Sequence, residues 1–172
     1  MTKLDSSPAA AREADAADKL FIGADSLLRD SFVLGQRIVD DGFRPSFLVG
    51  VWRGGAPIGI AVQELLEYRG IHADHIAIRT SSYAPGIDRP EKTVRVHAID
   101  YLVSRLNADD RRRNMPAQLR IATVYYKPAR NRSRLQPDYY VHATDRWLVF
   151  PHELQGLTPK ELQRHKPLPP GF

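Results

Sequence analysis

Residues 47–59 contain the side chains whose types and spacing best suit chemistry. The apolar run Phe47–Trp52 predicts a buried strand, and an apolar segment that opens at Pro57 and stops at Gly70 predicts a helix. Between them lie Arg53, Gly54 and Gly55. Glycines let backbone N–H groups approach an anion, arginine adds charge and a planar set of donors, and a helix N-terminus adds its dipole. The pattern indicates a phosphate site, and an ordinary tight turn with an incidental arginine is the alternative.

Length and composition bound the class of protein. A chain of 172 residues predicts one domain with a core of ordinary size. It contains no cysteine, which excludes disulfides, thiolate metal sites and a cysteine nucleophile. No apolar run approaches the roughly 20 residues of a membrane span, and the N-terminus has no apolar secretory region. We therefore expect a cytoplasmic protein with no membrane partner.

The net charge is +5, and arginines concentrate in the second half of the chain. They are Arg111, Arg112, Arg113, Arg120, Arg130, Arg132 and Arg134. A basic balance suits nucleic acid, a polyphosphate substrate or simply a solvated face. No nucleic-acid fold signature accompanies the arginines, so a nucleic-acid partner is not expected. The six histidines show no metal-ligand spacing.

Strand-like and helix-like segments alternate along the chain. A first helix runs from Asp25, capped by Asp25 or Ser26, to a stop at Gly42. Thr158 and Glu161, with a proline between them, form a capping box for a terminal helix. The remaining predicted elements are helices at 57–69 and 100–106 and strands at 47–52, 74–80, 93–99, 119–126, 138–143 and 147–151. This alternation predicts an α/β fold, with a mostly parallel sheet flanked by helices.

Four motifs in this order resemble the type I phosphoribosyltransferases, most closely the 6-oxopurine enzymes of the xanthine-guanine and hypoxanthine type. WRGG at 52–55 is similar to the loop that holds the pyrophosphate of phosphoribosyl pyrophosphate (PRPP). RTSSY at 79–83 resembles the start of a mobile active-site loop, YYKPAR at 125–130 a base-reading strand end, and PDYYVHATDRWLVFPHE at 137–153 a base-binding hood. The resemblance covers about residues 20 to 155.

The resemblance implies a role for each matching residue. Arg53, Gly54 and Gly55 would bind pyrophosphate, and Ser81, Ser82 and Tyr83 would belong to the mobile loop, a polar stretch over 81–92 that excludes water. Lys127, Trp147 and Leu148 would bind the base. Glu153 would lie near a Mg²⁺ ion, the implied cofactor; plain surface charge is its alternative role. No matched segment contains the general base, so the catalytic residue is unknown.

Two of these residues also have a reading independent of the resemblance. Lys127 ends an apolar strand, where ligands of open α/β sheets bind, and its ammonium group can donate to the 6-oxo group of a purine. A solvated strand-end lysine is the alternative. The face of Trp147 can stack on a purine for about 1–3 kcal/mol, whereas core packing is the alternative.

One segment of the family pattern is missing. Between Leu106 and Leu119 the resemblance calls for a hydrophobic strand, two acidic residues, a Thr-Gly loop for the ribose 5-phosphate and a helix, together roughly 20–25 residues. This chain has only NADDRRRNMPAQ at 107–118. Asp109 and Asp110 imitate the acidic pair, but no apolar strand precedes them and no Thr-Gly follows. A deletion variant, a diverged inactive relative and an incomplete sequence all fit this pattern.

The domain organisation and function follow from these motifs. We expect a disordered tail at 1–18, a phosphoribosyltransferase-like domain at 19–157 that includes the hood at 137–157, and a terminal helix with a proline-rich tail at 158–172. The implied function is purine salvage, by transfer of a 5-phosphoribosyl group from PRPP to a 6-oxopurine base in a homo-oligomer, with activity impaired by the missing segment. The alternative is a non-catalytic relative that regulates by binding a nucleotide or RNA.

Overall fold

The computed structural model describes residues 19–83, 90–96, 118–131 and 135–171, and for residues 80–96 it describes the backbone alone. The tail at 1–18, the predicted helix at 100–106 and nearly all of the short segment 107–118 lie outside these residues. The predictions made for those segments therefore stay predictions.

The first helix, α1, spans Ala24–Asp40. Gly23 is its N-cap and no side chain caps it, so the predicted cap at Asp25 or Ser26 is wrong. Asp25 lies instead in the first turn, where its negative charge faces the positive end of the helix dipole. The predicted stop is confirmed, because Gly42 has a φ of 78°, a conformation that glycine adopts without steric cost.

The second helix, α2, spans Gly55–Tyr68 and begins two residues before the predicted Pro57. It packs against α1 at Gly35, where an added Cβ would lie 2.7 Å from Leu65 Cδ2. A larger residue at Gly35 would therefore require the Leu65 side chain to move. The two helices contribute much of a core composed of Ile22, Leu27, Leu34, Ile38, Val62, Leu66, Ile71, Val124 and Tyr139.

One sheet contains three strands in the order β2-β3-β4. Strand β2 (Phe47–Trp52) pairs in parallel with β3 (Asp74–Tyr83), and β4 (Pro90–Val96) pairs antiparallel with β3. The sequence predicted a polar loop over 81–92 and a strand over 93–99. Instead, β3 continues to Tyr83 and its antiparallel partner β4 already starts at Pro90. Backbone hydrogen bonds between strands can form with polar as well as apolar side chains, which is why the polar sequence did not reveal the strands.

The other described strands form two parallel pairs. Strand β5 (Ala122–Tyr126) pairs with β6 (Tyr139–Ala143), so the predicted strands at 119–126 and 138–143 are confirmed with later starts. Strand β7 (Trp147–Val149) pairs with β1 (Lys19–Phe21). The sequence did not predict β1, since three residues are too few to show an alternating pattern.

Strand β2 is an edge strand of the three-stranded sheet, and β5 is an edge strand of its two-stranded sheet. Among the described residues, no strand pairs with both of them. The side chains of Phe47, Val49 and Val51 on β2 are about half exposed, at 47%, 53% and 46%, so the prediction that this strand is buried is wrong for the described residues. The α/β fold with mostly parallel pairing is confirmed, but in the described part of the chain the strands form three small sheets.

A 3₁₀ turn at Pro128–Arg130 follows β5. The last helix, α3, is short and spans Pro159–His165. The predicted capping box is confirmed. The Thr158 side chain accepts from the Glu161 backbone N–H, and the Glu161 carboxylate accepts from the Thr158 backbone N–H.

Candidate phosphate and base site

The candidate phosphate site, here called the anion loop, comprises Arg53, Gly54 and Gly55. It connects β2 to the N-terminus of α2 through a turn in which the Ala56 N–H donates to the Arg53 carbonyl at 3.1 Å. The Trp52–Arg53 peptide is cis, and the Arg53 side chain is exposed. The Ala56 N–H is thus engaged and Pro57 has no N–H, so the backbone donors that lie beside the exposed Arg53 side chain are those of Gly54 and Gly55, at the start of the helix.

The start of α2 packs directly on β2. A Cβ on Gly59 would lie 3.8 Å from the Cα of Gly50, and a Cβ on Gly50 would lie 3.6 Å from the Gly55 carbonyl oxygen, which are ordinary van der Waals distances. Gly54 has an ordinary helical φ of −62°. The anion loop is therefore held at the end of β2 by the packing of α2 on the strand.

Lys127 lies at the carboxyl end of β5, as the sequence predicted, and leads into the 3₁₀ turn. That turn is fixed to the hood by one hydrogen bond, from the Ala129 N–H to Asp145 Oδ1 at 3.1 Å. A second link extends the ladder between β5 and β6, from the Thr144 N–H to the Tyr126 carbonyl at 2.9 Å. The base-reading candidate is thus positioned against the residues that precede Trp147.

Trp147 opens β7 and lines a cavity of about 200 Å³ together with Lys19, Val149, Glu153, Gln155, Gly156 and Leu157. Its side chain is 51% exposed, so the ring is not core packing. Leu148 pairs with Leu20 of β1 and is half-buried. Two residues that the sequence assigned separately, Trp147 and Glu153, therefore share one cavity.

Glu153 closes the turn Phe150–Glu153, here called the hood turn. Its Oε2 accepts the Phe150 N–H at 2.9 Å, and its own N–H donates to the Phe150 carbonyl at 3.0 Å. In the described part of the chain there is no cluster of three or more histidine, aspartate or glutamate side chains that could hold a metal. Mg²⁺ is commonly bound through one or two carboxylates with waters and substrate phosphates, and a single carboxylate here fits that mode.

Phe150 connects the hood to the anion loop. A Cβ on Gly54 would lie 3.9 Å from Phe150 Cε2, which is van der Waals range. The Phe150 ring also meets Tyr125 edge-on at 6.3 Å and stacks with His152 at 5.9 Å between centroids. The following residues, Pro151 and His152, line an apolar cavity of about 230 Å³ with Pro57 of α2. The structure thus brings the sequence-predicted pyrophosphate loop and hood side by side.

A hydrogen-bonded pair supports this aromatic group from α1. His142 of β6 lies 2.9 Å from Asp30 Oδ2 and contacts the Tyr125 ring at 5.0 Å. Burial, and then the nearby Asp30 charge, raises the pKa of Tyr125, so its hydroxyl stays neutral at physiological pH. His142 therefore connects α1 to the aromatic ring of Tyr125.

Ser81, Ser82 and Tyr83, the predicted mobile-loop residues, form the end of β3. Their assignment to a lid stays a prediction.

The sequence analysis did not identify Lys166, the residue that anchors the hood. Lys166 follows α3 and is 8% exposed, and its Nζ donates to the carbonyls of Phe150 at 2.6 Å and Pro151 at 3.4 Å. Burial lowers its pKa, although the charge of Glu153 opposes the shift. A lysine in a polar, proline-rich tail gives no sequence signal of burial.

Neither a family model nor a curated protein sequence matches the chain. Solved structures do match. A purine phosphoribosyltransferase from Pyrococcus horikoshii is 20% identical with a TM-score of 0.56, over 82% of this chain and 98% of that one. A xanthine-guanine-hypoxanthine phosphoribosyltransferase from Helicobacter pylori is 15% identical with a TM-score of 0.52, over 86% and 99%. A hypothetical protein from Neisseria gonorrhoeae with bound ppGpp is 13% identical with a TM-score of 0.56, over 86% and 94%.

These similarities confirm at the level of fold the type I phosphoribosyltransferase relationship that the order of motifs predicted. The chain has the fold of purine phosphoribosyltransferases. Within the residues that the structure describes, no helix is both long and apolar enough to span a membrane.

Proposed function

We propose that the chain binds the substrates of a 6-oxopurine phosphoribosyltransferase. The reaction is transfer of a 5-phosphoribosyl group from PRPP to the base nitrogen, with release of pyrophosphate, as in purine salvage. The observation that carries the proposal is the proximity of the Phe150 ring to Gly54, because it places the candidate base hood beside the candidate pyrophosphate loop. A transferase must hold its two substrates side by side, and this proximity supports that arrangement.

The anion loop would hold pyrophosphate. The exposed Arg53 side chain and the N–H groups of Gly54 and Gly55 would donate to the same anion, and charge-assisted hydrogen bonds of this kind are about twice as strong as neutral ones. Ser81, Ser82 and Tyr83 would contribute to a lid that excludes water from an oxocarbenium-like transition state.

The hood would hold the base. Trp147 would stack on the purine, the Leu148 backbone would pair with its edge, and Lys127 would donate to its 6-oxo group. The half exposure of Trp147 supports stacking, since a ring in the core would have no free face. A lysine donor would favour guanine, xanthine and hypoxanthine over adenine, whose 6-amino group cannot accept that hydrogen bond.

Mg²⁺ would enter with PRPP, and Glu153, which lines the Trp147 cavity, would help to hold it. When bound, the ion neutralises charge on the departing pyrophosphate. The Glu153 carboxylate already accepts one backbone N–H through Oε2, which fixes its orientation.

Activity of the chain itself should be low. The segment 107–118 is too short to supply the strand, acidic pair and Thr-Gly loop of the enzymes that the chain resembles. In addition, β2 and β5 are both edge strands of their sheets. Without that unit, no segment that matches the family pattern would orient the ribose 5-phosphate, and orientation supplies several kcal/mol of barrier reduction.

A spectrophotometric assay with guanine, PRPP and Mg²⁺ tests this view. The chain and a variant carrying a relative's missing segment between positions 110 and 111 are compared. We expect little turnover from the chain and recovery in the variant. Rapid turnover by the unmodified chain would show that Asp109 and Asp110, or other residues, do this work.

The second candidate function is a non-catalytic regulator that binds a nucleotide. The fold similarity to the gonococcal protein with bound ppGpp favours it, because that ligand combines a 6-oxopurine with diphosphate groups. A regulator should bind ppGpp in calorimetry and remain inactive after the insertion. Binding of RNA, with a steep dependence on salt, would point instead to the arginines of the second half.

A further inference from the structure

We propose that Lys166 is a positioning residue for the anion loop. By holding the carbonyls of Phe150 and Pro151, it fixes the hood turn so that the Phe150 ring lies beside Gly54. This inference rests on the proposed function for its effect on ligand binding, but its structural part can be tested without any ligand.

The first step is the attachment of Lys166 to the hood turn. Its Nζ lies 2.6 Å from the Phe150 oxygen and 3.4 Å from the Pro151 oxygen. The same Phe150 carbonyl also accepts the Glu153 N–H, and Glu153 Oε2 accepts the Phe150 N–H. Two hydrogen bonds within the hood turn thus join Phe150 and Glu153, and Lys166 attaches this turn to the segment after α3.

The second step is the rigidity of the segment that carries Lys166. Helix α3 is joined to β1 by the ion pair of Lys19 and Glu161 at 2.9 Å, whose side chains are only 12% and 14% exposed. His165 stacks on Phe21 of β1 with ring centroids 3.9 Å apart. Since β1 pairs with β7, the anchor and the hood belong to one packed unit.

The third step is transmission from the hood turn to the loop. Phe150 Cε2 lies within contact distance of the Cβ position of Gly54, the residue next to Arg53. Pro151 and His152 face Pro57 of α2 across the apolar cavity. A shift of the hood turn would therefore displace the ring that borders the anion loop, together with the cavity wall at the start of α2.

The test compares Lys166→Met with Lys160→Met. Methionine keeps an apolar stem of similar length but removes the donors, and Lys160 is an exposed lysine on α3. In ¹H–¹⁵N spectra of the full chain, Lys166→Met should shift the amide resonances of Gly54 and Gly55 and leave that of Gly35 in place. Lys166→Arg, which can still donate to carbonyls, should restore the wild-type positions.

Binding of pyrophosphate provides the second readout. Lys166→Met should raise the Kd by roughly 2–30-fold, as for other residues that act through a packed network, whereas Lys160→Met should leave it unchanged. If Lys166→Met does not fold, Phe150→Leu, which removes the ring beside Gly54, should produce the same shifts and the same loss.

The outcomes separate the two proposals. Unmoved Gly54 and Gly55 amides in a folded Lys166→Met or Phe150→Leu protein would overturn the positioning role. Moved amides in a protein that does not bind pyrophosphate would support the positioning role and overturn the proposed function.

Discussion

The ring of Phe150 lies near Gly54, with Cε2 at 3.9 Å from the position that a Cβ on that glycine would take, although the two residues are far apart in the sequence. This proximity places the end of the hood beside the loop at the start of α2. Because Lys127 is also tied to the hood, through the hydrogen bond of Ala129 to Asp145, the three predicted binding segments are connected through residues 144–153. The hood is therefore the part of the molecule on which the candidate site depends.

Arg53→Ala should weaken pyrophosphate binding by about 1.5–3 kcal/mol, the cost of one hydrogen bond to a charged group. Binding of hypoxanthine should be nearly unchanged, because the base contacts the hood. Isothermal titration calorimetry measures both, and Arg29→Ala, an exposed arginine on α1, serves as the matched control. An Arg53→Ala protein with wild-type affinity for pyrophosphate would refute the assignment of the loop.

Purine preference should depend on Lys127. Guanine, xanthine and hypoxanthine, or their monophosphates, should raise the melting temperature more than the adenine counterparts do. Lys127→Ala should abolish that difference, while Lys160→Ala should preserve it. Equal thermal shifts with adenine and 6-oxopurines in the wild-type protein would remove Lys127 as the reader of the 6-oxo group.

Trp147 should report binding of the base directly. Stacking of a purine on its ring should quench fluorescence, and Trp147→Ala should weaken hypoxanthine binding by about 1–3 kcal/mol. The chain has two tryptophans, so Trp52→Phe leaves Trp147 as the single reporter and is also the control. If quenching persists in Trp147→Phe, the base lies elsewhere.

Acid stability should depend on Glu161. The Thr158 backbone N–H, and then the Lys19 ammonium, lower the pKa of Glu161 from its ordinary 4.5 to about 2. A carboxylate whose pKa is lowered by folding stabilises the folded state above pH 4.5, and this contribution is lost as the pH falls towards 2.

Glu161→Gln should therefore cost about 1–3 kcal/mol at pH 7 and flatten the loss of stability between pH 4.5 and 2. Urea unfolding across this range provides the measurement, and Glu64→Gln on the exposed face of α2 is the control. An unchanged pH profile for Glu161→Gln would show that the ionised Glu161 carboxylate does not stabilise the fold.

Local patterns predicted much of this structure. The apolar runs that became β2 and α2, the glycine stop at Gly42 and the capping box at Thr158 all depend on residues close in sequence. Errors occurred where distant contacts decide the outcome. β1 exists because it pairs with β7, and β3 continues to Tyr83 because it pairs with β4.

The candidate site shows the same difference between features that depend on local sequence and features that depend on distant contacts. Motif order placed Arg53, Lys127 and Trp147 at strand ends, where the structure has them. Neither the role of Phe150 nor the burial of Lys166 could be predicted, since both depend on segments that meet only after folding. Asp145, which fixes the turn after Lys127, lay unnoticed inside the hood motif for the same reason.

The anion loop and the hood should together form one site that binds two ligands. Calorimetric titration of pyrophosphate with Mg²⁺ into the chain, alone and saturated with hypoxanthine, tests it most directly. One pyrophosphate should bind per chain in both titrations, and Arg53→Ala should weaken its binding in each, whereas Lys127→Ala and not Arg53→Ala should weaken the binding of hypoxanthine. Failure of either ligand to bind, or displacement of one by the other, would contradict it.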